Sequence, residues 1–245
     1  MASLPRALSK LGYCSRTAAM ALIAAGRVRV NGQPAKHEAM RVHMARDVIT
    51  VDGEPVMAAR KHYLMLNKPR GLITTRSDPQ QRGTVYDCLA GHDVPYLSAV
   101  GRLDKASEGL LLLTNDTLWA DRLLDPVSHV DKRYHVKIDR LADEGFLSAL
   151  TAGIDDSGER LVAKSASLLR EGPRAAWLDI VLDQGRNRQI RRMVAALGAE
   201  VTRLVRVQIG GLQLGDLPKG DVRSLTSDEI VRLSGAAAPS NKIAG

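Results

Sequence analysis

The stretch GRLDKASEGLLLLTND, residues 101–116, sets a run of four leucines directly behind a loop that carries one aspartate, Asp104. An apolar run this short, closed by Thr-Asn-Asp, reads as a strand buried on both faces. Glycines at 101 and 109 bracket the aspartate and allow a tight turn and the close approach of another molecule. Arg102 precedes it by two residues. A carboxylate is thereby held at the mouth of a core strand, which suits a catalytic group. The plainer reading of such an aspartate is a helix cap, a turn former or a surface ion pair.

Outward from this strand, helices and strands mix without a regular alternation. On the C-terminal side, residues 116–124 read as a short helix closed before Pro126, and 132–138 alternate as a strand. Residues 143–152 form a helix with acids in its first turn, and 177–182 another strand. Residues 187–197 are expected to be helical with Gly198 just past the end, followed by a strand at 201–209. Thr226 and Glu229 make a capping box for a last helix. Residues 234–245 are expected to be a disordered tail. On the N-terminal side, 63–66 is a short strand ended by Asn67-Lys68-Pro69. The pattern predicts an α+β domain over 63–233 rather than a βαβ array.

The first quarter reads as a separate module over residues 1–55, joined by a linker at 56–62. Pro5 suits a first helical turn and Ser15 caps a second helix that runs to Ala25, with Gly26 as its stop. Residues 27–30 alternate basic and apolar as a strand, Asn31-Gly32 is a hairpin turn, and a second strand follows at 48–51. Residues 1–61 hold 10 Lys+Arg against 4 Asp+Glu, a net of +6, whereas the other 184 hold 25 against 23, a net of +2. A charge imbalance concentrated in one module points to a polyanionic partner. The helix pair admits a DNA-reading helix-turn-helix. The hairpin directly after it favours a helix–strand surface in which Arg6, Lys10, Arg16, Arg27 and Arg29 meet structured RNA.

Two distant cysteines, Cys14 and Cys88, exclude a disulfide scaffold or a CxxC zinc site and suit a reducing compartment. No apolar run reaches the length of a membrane span, so a soluble cytoplasmic protein is expected.

Asp104 has no histidine or serine nearby to complete a triad and no second carboxylate in evident partnership, which argues against a hydrolase. A lone aspartate that acts as nucleophile or base must stay ionised in a partly buried pocket, and a neighbouring arginine would hold its pKa down. On a helix over 187–197, successive residues stand about 100° apart. Ile190, Met193, Val194 and Leu197 then face the core, Arg188 and Arg192 fall opposite, and Arg191 lies at the border, from which it can reach a buried carboxylate. Aromatics make up only 3% of the chain, so Tyr134 stands out, either as sheet packing or as a platform for an RNA base.

Two resemblances are carried by these segments. LPRALSKLGYCSR followed by GRVRVNG, within residues 4–51, resembles the α-L RNA-binding module of ribosomal small-subunit protein four, with Arg16, Arg27 and Arg29 at its RNA-contacting positions. KHYLMLNKPRG (61–71), GRLDKASEGLLLLTND (101–116), KRYHV (132–136) and GRNRQIRRM (185–193) resemble, in order and spacing, the motifs of the RsuA-type pseudouridine synthases, which isomerise uridine in ribosomal RNA. The chain departs from that pattern at Thr117, where glycine is usual, and at Asp125-Pro126-Val127, which often reads HPS.

The resemblance implies a pseudouridine synthase fold, a mixed and mostly antiparallel sheet with flanking helices, beside the small RNA-binding domain. It implies Asp104 as catalytic residue, Tyr134 stacking on the target base, and Arg191 paired with the aspartate. Lys68, Arg102, Arg186, Arg188 and Arg192, the basic residues around these motifs, are expected to contact RNA. It implies a monomeric enzyme without metal or cofactor that acts on structured ribosomal RNA in an assembly intermediate, with wording closer to the large-subunit members. A non-catalytic RNA-binding assembly factor and a DNA-binding regulator are the competing classes.

Overall fold

The computed structural model describes residues 1–76 and 78–235. The chain divides into two compact units. One comprises Met1–Tyr63 with Gly91–Ser98 and Leu113–Leu118; the other comprises Leu64–Ala90, Ala99–Leu112 and everything from Trp119 onward.

In the first unit the helices Leu4–Lys10 and Arg16–Ala24 pack against strands Val28–Val30 and Ile49–Val51, with Leu4, Leu8, Ile23, Val28, Val42, Ile49 and Val51 as a shared core. Ser15 caps the second helix by accepting from the Ala18 amide at 3.0 Å. The Asn31-Gly32 turn is built with both residues in the left-handed region, φ 50° and 78°, as a two-residue hairpin with right-handed strand twist requires. The expected linker at 56–62 is fastened to this unit rather than loose. Val56 packs against its core, the Ala59 amide donates to Leu11 O, and Asn115 bridges Arg60 O and the His62 amide.

The second unit is built on a mixed sheet. Its strands run in the order Ser165–Glu171, Ala176–Leu182, Lys132–Ile138, Val201–Ile209, Glu108–Thr114, Tyr63–Lys68 and Val222–Ser224. The registered pairs are antiparallel except Val201–Ile209 with Glu108–Thr114, which is parallel. The leucine strand lies at the centre, and every residue from Glu108 to Thr114 is buried. At its start Gly109 adopts φ +100°, and a Cβ there would stand 2.2 Å from the Arg206 carbonyl oxygen. Only glycine lets these two strands approach so closely.

Tyr63–Lys68 extends two residues beyond the expected strand, because Asn67 and Lys68 both find backbone partners as buried residues. Helices Thr117–Leu124, Glu144–Ala152 and Ser227–Leu233 stand within a residue or two of their expected places, the last with its Thr226–Glu229 capping box formed. The hairpin Ile154–Asp156 and Glu159–Leu161 and the edge strand Ser165–Glu171 were not anticipated. The expected disordered tail lies outside the described residues from 236 on; Ser234 closes the last helix. Among the described residues no helix is long and apolar enough to cross a membrane.

Candidate active site

The loop carrying Asp104 is pinned through its backbone. Five consecutive carbonyls each accept a hydrogen bond. Leu103 O accepts from Thr74 Oγ1 at 2.8 Å and Asp104 O from Lys68 Nζ at 3.2 Å. Lys105 O accepts from the Gly71 amide at 2.8 Å, Ala106 O from Arg191 Nη2 at 3.2 Å and Ser107 O from Lys68 Nζ at 2.8 Å. The Leu103 amide returns the bond to Thr74 Oγ1 at 3.2 Å. Carbonyls held this way fix the loop without using the carboxylate.

Lys68 is fully buried, 0% exposed, and its third proton goes to Pro69 O at 3.1 Å. Three acceptors match the three N–H groups of an ammonium. Burial lowers its pKa from 10.5 to about 8, with Asp104 and Glu108 partly opposing the fall, so the group stays charged at neutral pH. The expectation that Lys68 contacts RNA is therefore corrected: its ammonium is enclosed under the loop and holds Asp104 in place from beneath.

The Asp104 side chain opens into a cleft of about 1010 Å³ that also admits Arg102, Tyr134, Arg186, Arg188 and Arg191. The carboxylate is 43% exposed, more open than the partly buried pocket expected from sequence. Its ion-pair partner is Arg188, whose Nη1 lies 3.4 Å from Oδ2. The helix starts at Gln189 rather than 187, and Arg188 stands at its N-cap in the left-handed region, φ 49°. Off the helical lattice, its side chain swings toward the aspartate instead of away from the core.

Arg191 occupies the expected border position, but its guanidinium donates to Val201 O at 2.8 Å and to Ala106 O, not to the Asp104 carboxylate. Burial, reinforced by Arg188, lowers its pKa, while Asp104 raises it. Arg191 thus braces the loop next to the carboxylate. Tyr134, 9% exposed, lines the same cleft from the strand Lys132–Ile138.

Arg192 lies outside the lining of the cleft, and its guanidinium is held by Asp156 and Glu159 of the unanticipated hairpin. Arg186 lines the cleft while bonded to Gln184 and Glu159. In the first unit Arg6, Arg16, Arg27 and Arg29 are all exposed. Arg27 is paired with Asp52, and Arg29 donates to Gly32 O. Residues overlooked in the sequence are Thr74, Lys132 and Arg206, all three lining the cleft. A signal was present: Lys132 shares the period-two face of Tyr134, and Arg206 shares that of the buried Leu204.

A protein-family model described as RNA pseudouridylate synthase matches residues 62–196, and one described as S4 domain matches residues 4–49. The chain is 39% identical over 234 residues to an uncharacterized RNA pseudouridine synthase of Mycobacterium bovis, covering 94% of this chain and 92% of the relative. It is 35% identical over 240 residues to the protein named ribosomal large subunit pseudouridine synthase B of Bacillus subtilis, covering 97% of each. A crystal structure of a pseudouridylate synthase superposes with a TM-score of 0.65 at 32% identity, over 95% of this chain and all of that one. A pinned loop that presents one carboxylate beside a tyrosine and a cluster of arginines is thus found on a chain that belongs to the RNA pseudouridylate synthase family, with an S4 domain at its N-terminal end.

Proposed function

We propose that the chain isomerises one uridine of large-subunit ribosomal RNA to pseudouridine, with Asp104 as the reacting carboxylate. The observation that carries this reading is the contrast between an anchored backbone and a carboxylate open to the cleft: all five carbonyls of 103–107 are bonded, and the side chain they position is left to meet substrate. The large-subunit assignment is supported by the Bacillus subtilis relative, which matches over almost its full length.

The target uridine leaves its stack at a cost of about a few kcal/mol. Stacking on Tyr134 returns about 1–3 kcal/mol, and phosphate contacts to Arg102, Arg186 and Arg188 supply more. Asp104 then either bonds to C1′ or takes a proton from the nucleotide. The uracil detaches, turns, and rejoins through C5. No electrons are gained or lost overall, so the balance calls for no redox partner. Arg191 acts as a positioning residue through Ala106 O. The basic face of the S4 unit (Arg6, Arg16, Arg27, Arg29) holds the surrounding RNA. We take the protein to work as a cytoplasmic monomer on RNA in an assembly intermediate; its two free cysteines suit a reducing compartment.

Pseudouridine mapping of ribosomal RNA from cells with and without the gene tests the function, with one missing site expected. Asp104→Asn should abolish isomerisation of an RNA fragment carrying that site while RNA binding stays within threefold of about its original strength. Unchanged maps would favour a non-catalytic RNA-binding role; turnover retained by Asp104→Asn would overturn the assignment of Asp104 as the reacting carboxylate.

A further inference from the structure

Deep in the cleft stands a second cationic pair that the roles above leave unused. Tyr134 and Arg206 face each other across paired strands, and Lys132 lies two residues before Tyr134 on the same face. Arg206 is 5% exposed, yet it lines the cleft. Its Nε donates to Leu110 O at 2.7 Å, and its Nη2 has no hydrogen-bond partner among the described residues.

Of the two carboxylates that attract Lys132, Asp131 is also paired with Lys164 and Asp183 lies 3.3 Å from His129. Burial lowers the pKa of Lys132, repulsion from Arg206 adds to the fall, and Asp131 and Asp183 oppose it in part. Two like charges side by side, one nearly buried and short of partners, cost stability unless something anionic or strongly accepting joins them. Phosphates reach the exposed arginines at the rim first. What arrives beside Tyr134 at this depth is the edge of the base.

We propose that Arg206, with Lys132 beside it, donates to a carbonyl oxygen of the target pyrimidine and holds the negative charge that the ring carries while it is detached from the sugar. The inference rests on the isomerase reading above. When the C1′–N1 bond breaks, its electron pair stays on the ring, where it is shared with the carbonyl oxygens. C1′ is satisfied by a bond to the Asp104 carboxylate or by loss of a sugar proton to it. On rejoining, the ring supplies the pair for the C1′–C5 bond, C5 loses its proton and N1 gains one. Arg206 gives up no proton at any point. Its contact strengthens only in the detached state, so it acts on rate rather than on RNA affinity.

The test is single-turnover loss of the target nucleoside from an RNA fragment that carries either uridine or 5-fluorouridine at the site. Fluorine withdraws charge from the ring and makes it a better leaving group, so a protein cation matters less. Arg206→Met should slow uridine turnover by about 100-fold, and this deficit should shrink by roughly tenfold or more with 5-fluorouridine, while RNA affinity stays unchanged. Equal deficits on the two substrates, or no deficit, would overturn the proposal. Should Arg206→Met fail to fold, Lys132→Met, at a less buried position, gives the same comparison, with a smaller deficit that again shrinks with 5-fluorouridine; an unchanged ratio between substrates would be as damaging. Wild-type protein that binds ribosomal RNA and turns over neither substrate would instead defeat the isomerase reading.

Discussion

Replacing Lys68 with methionine isolates the anchoring of the Asp104 loop from the chemistry of its carboxylate. The methionine side chain fills similar space, so the cavity contribution is small. The substitution strips the donor from three carbonyls. Asp104 O keeps the Ser107 amide at 3.0 Å, which leaves Pro69 O and Ser107 O without the bonds that Lys68 Nζ gave them. Two such acceptors cost about 1–3 kcal/mol each. Against this stands relief of the buried charge: a pKa lowered from 10.5 to about 8 amounts to about 3 kcal/mol at 1.36 kcal/mol per pH unit. The two nearly cancel, and a net loss of about 1 kcal/mol would move the melting temperature by roughly 2–4 °C in a protein of this size. Activity has no such compensation, because a loop displaced by about 1 Å costs on the order of 100-fold in rate.

The sign of the pH dependence provides a check. Below pH 8 the group is protonated in folded and unfolded chains alike, and the penalty is constant. Between about 8 and 10.5 the folded protein loses the proton first, so wild type should gain stability relative to Lys68→Met across that window. Thermal melts at several pH values, paired with single-turnover isomerisation, measure all three quantities. Near wild-type turnover with an unchanged melt would refute the anchoring role; a collapse in melting temperature would refute the cancellation.

Gly109→Ala should be among the most damaging single substitutions, since the new Cβ meets Arg206 O at 2.2 Å in a backbone with φ +100°; a loss above about 4 kcal/mol is expected by denaturant titration, and a loss below 1 would contradict the close strand approach. Glu229 is held down to about 2, first by Arg223, with the Thr226 amide adding to the effect and burial opposing it. Its contribution is present above pH 4.5 and lost as pH falls toward 2, so the stability gap between wild type and Glu229→Gln should narrow across that range; a gap constant with pH counts against the ion pair. For RNA binding, Arg16→Ala should reduce the salt slope by about 1, whereas Arg27→Ala should reduce it less because Asp52 already neutralises that side chain; equal slopes for the two variants would undo this ranking.

The parts of the fold that were legible in the sequence are those in which a residue's surroundings are set by near neighbours. The leucine strand, the Ser15 cap, the Asn31-Gly32 turn and the Thr226–Glu229 box all belong to this class. The edge strand Ser165–Glu171 escaped because it is largely exposed along its length and offers no alternation to read. Lys68 was misread because a lysine beside Pro-Arg-Gly looks solvated in one dimension; its three acceptors lie up to 39 residues away in sequence. The ion pair with Asp104 fell to Arg188 instead of Arg191 for a local reason. The helical wheel assumed regular geometry from 187, and one left-handed residue at 188 moved that arginine off the lattice.

That difference bears on how the site works. A buried bidentate arginine on Asp104 would secure its charge but would hold the carboxylate against the nucleotide, since breaking a buried pair costs about 3–5 kcal/mol. The contact observed is a single 3.4 Å approach between side chains that are both about half exposed, a class worth about 0–1 kcal/mol. Substrate RNA can displace it with one phosphate. Position is supplied instead by Lys68 and Arg191, which grip the backbone carbonyls of Asp104, Ala106 and Ser107 and make no hydrogen bond to its carboxylate oxygens. The two demands on Asp104, a fixed location and a free charge, are thus met by different cations. Substituting Lys68 or Arg191 should therefore lower turnover without altering RNA affinity, whereas substituting Arg188 should alter affinity first.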